Sequence, residues 1–127
     1  MNGTSREPRI RMPAAAAPTN SGGDVFGGWV MSQVDIAGSI PAVLRARGRV
    51  VTVAVERMHF RRPVQRGDMV SVFADVIRTG RTSMTVDVEV RVDRNPADPE
   101  TLTVADARLV YVAVDEEGRP RPLPRDT

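Results

Sequence analysis

Most catalytic side-chain types are missing from this 127-residue chain, which narrows acid–base or nucleophilic work to a few residues, Asp35 among them. There is no cysteine, which removes thiolate nucleophiles, disulfides and Cys-based metal sites. One histidine, His59, leaves no multi-histidine metal centre, and a Ser-His-Asp relay would have to run through it. Lysine is absent as well, so Schiff-base chemistry has no amine side chain. Proton transfer therefore falls to Asp, Glu, Tyr111 or His59. All 18 basic residues are arginine, which supplies forked donors suited to phosphate groups.

Asp35 lies in a segment, Trp29 to Ile40, that reads as a helix apolar nearly all round, and such a helix is buried. Its polar residues form one seam, with Ser32, Asp35 and Ser39 at i, i+3 and i+7. Pro41 has no N–H to donate and is expected to end or kink this helix, with Val43 to Arg45 able to form a further turn. Ahead of it runs a Gly-rich loop from Asn20 to Gly28. Gly27 and Gly28 fall at the helix start, where unpaired N–H groups and the helix dipole favour negative charge. The same glycines also suit a tight loop-to-helix entry. Asp24 fits a cap on the helix or the loop, and Asn20 fits a turn.

The remainder reads as strands. Val50 to Phe60 is rich in β-branched residues, and Met69 to Arg78 follows the turn Arg66-Gly67-Asp68. Thr82 to Asp93 alternates, with Met84, Val86, Val88, Val90 and Val92 on one face. Leu102 to Val114 is a last long strand. Residues 1–19, with Pro8, Pro13 and Pro18, read as an irregular or partly extended arm, and residues 116–127 as an irregular tail. One buried helix followed by strands on short turns indicates α+β with an antiparallel sheet, in a single domain over 1–127.

Charge adds little. The pI near 10.3 arises because 18 arginines face 16 acids with nothing to titrate between neutrality and the arginine range. The net charge is only +2, so no nucleic-acid partner is expected. No apolar run approaches the length of a spanning helix, and the stretch Ala14 to Ala17 is too short for a secretory signal. A cytoplasmic protein without a membrane partner is the expectation.

The run Asn20-Ser21-Gly22-Gly23-Asp24-Val25-Phe26-Gly27-Gly28, continuing to Asp35, resembles the acyl-CoA thioester hydrolases of the hotdog superfamily. The likeness is to small bacterial enzymes related to the animal cytosolic acyl-CoA hydrolases. It continues through Arg49 to Glu56, Phe60-Arg61-Arg62-Pro63-Val64, Gly67-Asp68, Gly80-Arg81-Thr82-Ser83 and Val112 to Arg121. In all it spans roughly residues 8–125. Pro41 and the Ala- and Pro-rich arm depart from the family pattern.

The resemblance implies a long central helix wrapped by an antiparallel sheet, and subunits that pair so that two sheets become continuous. Active sites then form at the dimer interface, and a hexamer built as a trimer of dimers is expected. It implies hydrolysis of acyl-CoA with Asp35 as general base or nucleophile, Gly27 as oxyanion-hole donor and Asn20 orienting water or the thioester carbonyl. Gly28, Arg62, Arg81, Thr82 and Ser83 are the expected substrate and coenzyme A contacts, with Arg61, Arg119 and Arg121 behind them. No metal and no cofactor beyond the substrate's own coenzyme A is expected. Two other readings stay open: a non-catalytic acyl-CoA sensor, and a hydratase needing His59 beside an acid at the dimer interface.

Overall fold

Alternation of buried and half-buried positions along Ser83–Arg94 fixes the centre of the sheet, and every other element is arranged about it. A computed structural model of the chain describes residues 6–126. The strands are β1 (Ile10–Pro13), β2 (Val50–Phe60), β3 (Met69–Thr79), β4 (Ser83–Arg94) and β5 (Glu100–Ala113), and α1 spans Gly27–Ala46. All pairings are antiparallel, in the order β1-β3-β4-β5-β2. The expected α+β hotdog arrangement is the one observed.

One face of the sheet is apolar. Val70 and Val72 of β3, Met84 to Val92 of β4 at alternate positions, and Ala105, Ala107, Leu109 and Tyr111 of β5 are buried there. The helix lies across this face through Val30, Val34, Ala37 and Ala42. Small residues on both sides let the backbones approach closely. The opposite face is ionic. Asp87 and Arg108 stand opposite each other on β4 and β5 and pair at 2.7 Å, which holds the Asp87 carboxyl below its ordinary range. Phe73 lies between the guanidinium groups of Arg6 and Arg91, at 4.8 and 4.7 Å from its ring centre.

Three details correct or sharpen the sequence reading. The helix does not stop at Pro41 but continues to Ala46, with Pro41 buried. The ring costs one i→i−4 bond, and packing on the sheet holds the turns on either side. The helix also begins two residues earlier, at Gly27. Finally, the arm 1–19 takes the partly extended of its two readings and gains a strand, Ile10–Pro13, which pairs with β3 in the register Ile10↔Val72. Residues 1–5 and 127 of the arm and tail lie outside the described residues. The tail is irregular but anchored, since Arg121 donates to the Ala46 carbonyl at 2.8 Å and Leu123 packs on the core.

Candidate active site

Two strands hold Asp35 on the underside of α1. Thr52 of β2 and Tyr111 of β5 are cross-strand partners, so their side chains rise side by side toward the helix. The Thr52 hydroxyl donates to Asp35 Oδ1 at 2.7 Å. The Tyr111 hydroxyl bridges the Asp35 backbone carbonyl at 2.7 Å and Oδ1 at 3.1 Å. Burial first, and then the Asp35 charge, push the Tyr111 phenol well above its ordinary ionisation range, so it remains a donor. No hydrogen bond from a described residue reaches Asp35 Oδ2.

The polar seam read along the helix does not form a network. Ser32 donates to the Gly28 carbonyl at 3.1 Å and Ser39 to the Ile36 carbonyl at 2.6 Å, both within their own helix. Thr52 and Tyr111, the partners Asp35 has, lie 17 and 76 residues away in sequence. Elimination leaves Tyr111 among the acid–base candidates, but nothing local singles out Thr52. Only the β2–β5 register does.

At the head of the helix the N-cap residue is Phe26, which provides no side-chain hydrogen bond. The Gly27 and Gly28 N–H groups donate to no described residue. A helix start without a polar cap is left with free donors. Phe60, at the end of β2, lies beside Gly27, so that a Cβ there would stand 3.2 Å from its ring, whereas a Cβ on Gly28 would meet nothing within 4 Å. Beside them is a cavity of about 270 Å³, lined by Val25, Val30, Val64 and Val104 with Phe60 and Arg62 at its walls.

Asn20 sits in the loop before this start. Its Oδ1 accepts from the Gly22 and Asp24 N–H groups at 2.9 and 3.1 Å, leaving only its amide N–H₂ for anything outside the turn. Asp24 closes this loop and does not cap the helix.

Asp35 and Gly27 of one chain do not meet. Eight residues of α-helix separate them, about 12 Å along the axis. Among the candidate phosphate contacts, Arg62 and Arg81 are exposed and have no ion-pair partner among the described residues. The others are committed elsewhere: Arg61 to Asp106, Arg119 to Asp115 and Glu117, and Arg121 to the helix end. Arg62 follows the end of β2, where Phe60 pairs with Ala105, whereas Ser83 pairs with Val112. Seven residues of β5 lie between those points, about 24 Å. Arg81, Thr82 and Ser83 are thus grouped toward the Asp35 end of the sheet, and Arg62 at the Gly27 end. The carbonyls of Arg81 and Thr82 accept from Leu123 and Ala113 at 2.9 Å.

His59 does have an acid near it, with Nδ1 3.6 Å from Asp106 Oδ1. That acid already pairs with Arg61 and faces Arg57. His59 pairs with Asp106, a position alternate to the buried Ala105 and Ala107, so this cluster lies on the sheet face turned away from the helix. Among the described residues there is no group of three metal-ligating side chains and no helix long and apolar enough to cross a membrane.

A family model described as the thioesterase superfamily matches residues 22–97. The acyl-CoA thioester hydrolase YciA of Salmonella typhimurium is 48% identical over 117 residues, covering 91% of this chain and 88% of that one. The hexameric thioesterase y2039 of Yersinia pestis superposes with a TM-score of 0.89 at 45% identity, covering 95% of this chain and 98% of that one. An acyl-CoA hydrolase of Staphylococcus aureus superposes with a TM-score of 0.81–0.82 at 30% identity, covering 91% of this chain and 70% of that one. It has been solved with a threonine, and separately an aspartate, replaced by alanine. With these matches spanning nearly its whole length, and with the helix-on-sheet fold described above, the chain belongs to the thioesterase superfamily.

Proposed function

We propose that this protein is an acyl-CoA thioesterase, hydrolysing acyl-CoA to a carboxylic acid and coenzyme A, with Asp35 as general base or nucleophile. The observation that carries the reading is the Asp35 carboxylate, fixed by Thr52 through Oδ1 and open at Oδ2. In the Staphylococcus aureus hydrolase, the aspartate and threonine that were replaced also stand 17 positions apart. As a base, Asp35 takes a proton from water while the water oxygen bonds the acyl carbon. The C–S bond then breaks and the departing sulfur takes up the proton. As a nucleophile, it forms a mixed anhydride that water cleaves, with the same products. No cofactor is needed beyond the coenzyme A of the substrate.

The oxyanion donor comes from a second copy of the chain. A base and an oxyanion donor must each lie about 3 Å from one reacting carbonyl group, which the separation of Asp35 and Gly27 within one helix forbids. The free edge of β2 offers the solution. Val53 is 55% exposed on that strand, with Ile36 at 54% on the flanking helix, an apolar surface that asks for cover. Antiparallel pairing of β2 with its own copy sets the Phe60 end of one strand beside the Val50–Thr52 end of the other. Gly27, Gly28, Asn20 and Arg62 of the partner subunit then join Asp35, Thr52, Arg81, Thr82 and Ser83. Three such dimers give the hexamer, the assembly of the Yersinia relative. Neither nucleic acid nor membrane has a place in this reading, and the cytoplasm remains the proposed location.

The test is release of free thiol from a panel of acyl-CoAs, read with a thiol-reactive dye, to which a chain without cysteine adds no background. Hydrolysis with a chain-length profile supports the enzyme. Tight acyl-CoA binding with no release would make the sensor the better account. Because Arg62 and Arg81 meet the nucleotide end rather than the reacting carbonyl, Arg62→Ala and Arg81→Ala should each raise KM about five- to tenfold and leave kcat within about twofold. Equal losses in kcat would place them elsewhere. His59→Gln should keep kcat/KM within about twofold, since its cluster faces away from Asp35. A large loss there would favour the hydratase chemistry.

A further inference from the structure

We infer that Tyr111 is a positioning residue of the hydrolytic site: it ties the Asp35 carboxylate to its own helix, so that Oδ2 alone is presented to the thioester or its water. This rests on the assignment of Asp35 above and extends it to a residue that does not touch the substrate.

Tyr111 is fully buried beneath α1, and its hydroxyl is its one polar group. That hydroxyl spans the Asp35 carbonyl and Oδ1, at 2.7 and 3.1 Å. Thr52 donates to the same oxygen at 2.7 Å. Two donors on Oδ1 and none among the described residues on Oδ2 make the carboxylate asymmetric. Rotation about the Cβ–Cγ bond, which would exchange the two oxygens, breaks both bonds. A half-buried aspartate without such holds samples several rotamers, and each departure from the reactive one lowers the rate.

The fold also makes room for this contact. Gly38 lies three residues beyond Asp35, and a Cβ there would stand 2.4 Å from the Tyr111 oxygen and 3.2 Å from its ring. The ring belongs to the packed core and cannot step aside as a surface chain does. A side chain at position 38 would therefore push the hydroxyl off Asp35. Glycine at the centre of a helix is unfavourable relative to alanine, and here the space it leaves is filled by the tyrosine oxygen.

The test compares wild type, Tyr111→Phe, Gly38→Ala, Asp35→Asn and the double variant Tyr111→Phe/Asp35→Asn in steady-state hydrolysis, with thermal melts and oligomeric state checked for each. Phenylalanine keeps the packing and leaves no buried donor unpaired. Tyr111→Phe should fold, lower kcat about 10- to 100-fold and leave KM within about twofold. Gly38→Ala should repeat that pattern with the tyrosine still present. In the Asp35→Asn background, removing the hydroxyl should cost nothing further, because the group it positions has already lost its function. A folded Tyr111→Phe with wild-type kcat overturns the inference, as does a loss that adds in full to that of Asp35→Asn.

Failure of the underlying assignment looks different: Asp35→Asn would then hydrolyse acyl-CoA as well as the wild type.

Discussion

Asp35→Asn should lower kcat/KM for acyl-CoA hydrolysis by about a thousandfold, with the fold and assembly intact. Positioned bases and nucleophiles contribute about 10²- to 10⁴-fold, and asparagine supplies neither a proton acceptor of useful strength nor an attacking oxygen. The substitution is mild in every other respect. The amide oxygen still accepts from Thr52 and Tyr111, which now hold Oδ1 at 2.7 and 3.1 Å. Side-chain volume hardly changes, and no buried donor is orphaned. Because the lost interaction is made with the reacting atoms, the effect should fall on kcat, with KM moving little. The measurement is thiol release under saturating and limiting substrate, together with a thermal melt. A folded Asp35→Asn within tenfold of wild type would remove Asp35 from the chemistry.

How far the sequence foretells this geometry depends on the range of the interaction concerned. The alternation in β4 and the β-branched run of β2 are local signals, and both strands form where they are read, β2 with the same bounds Val50–Phe60. The buried character of the helix is legible for the same reason. Its far end is not: Pro41 looks like a stop, yet packing on the sheet carries the helix through it to Ala46. Strand β1 is four residues long and exists by pairing with β3, some sixty residues distant, so its own composition reads as an arm. The site divides in the same way. Asp35 stands out by elimination and by motif, whereas Thr52 and Tyr111 emerge from strand register. That Arg62 and Arg81 have no ion-pair partner among the described residues is likewise a matter of tertiary placement, which no local pattern states.

On the proposed assignment, in which each site takes its carboxylate and its oxyanion donor from different chains, two inactive variants should restore activity to each other when mixed. The second variant is Gly27→Pro. Proline at the first helical position keeps the helix and deletes only the N–H. The preceding residue tolerates it too: Phe26 has φ −60° and ψ 140°, in the extended region that a following proline requires. The ring must ease Phe60 outward, and Phe60 is half exposed. Loss of an oxyanion donor lowers kcat about a hundredfold or more. In a dimer of Asp35→Asn with Gly27→Pro, one site combines both defects and the other carries neither. Random pairing of equal amounts makes half the dimers mixed, each with one whole site of two, so refolded mixtures should regain about a quarter of wild-type activity. Each variant refolded alone should stay near its own low rate. Mixtures that remain at the average of the two single variants would mean that Asp35 and Gly27 act within one chain or not together. The helix geometry argues against the first, since about 12 Å of rigid helix separates them. A mixture that regains activity would therefore locate each reaction centre across the β2 edge, and would explain why that strand carries so much uncovered apolar surface.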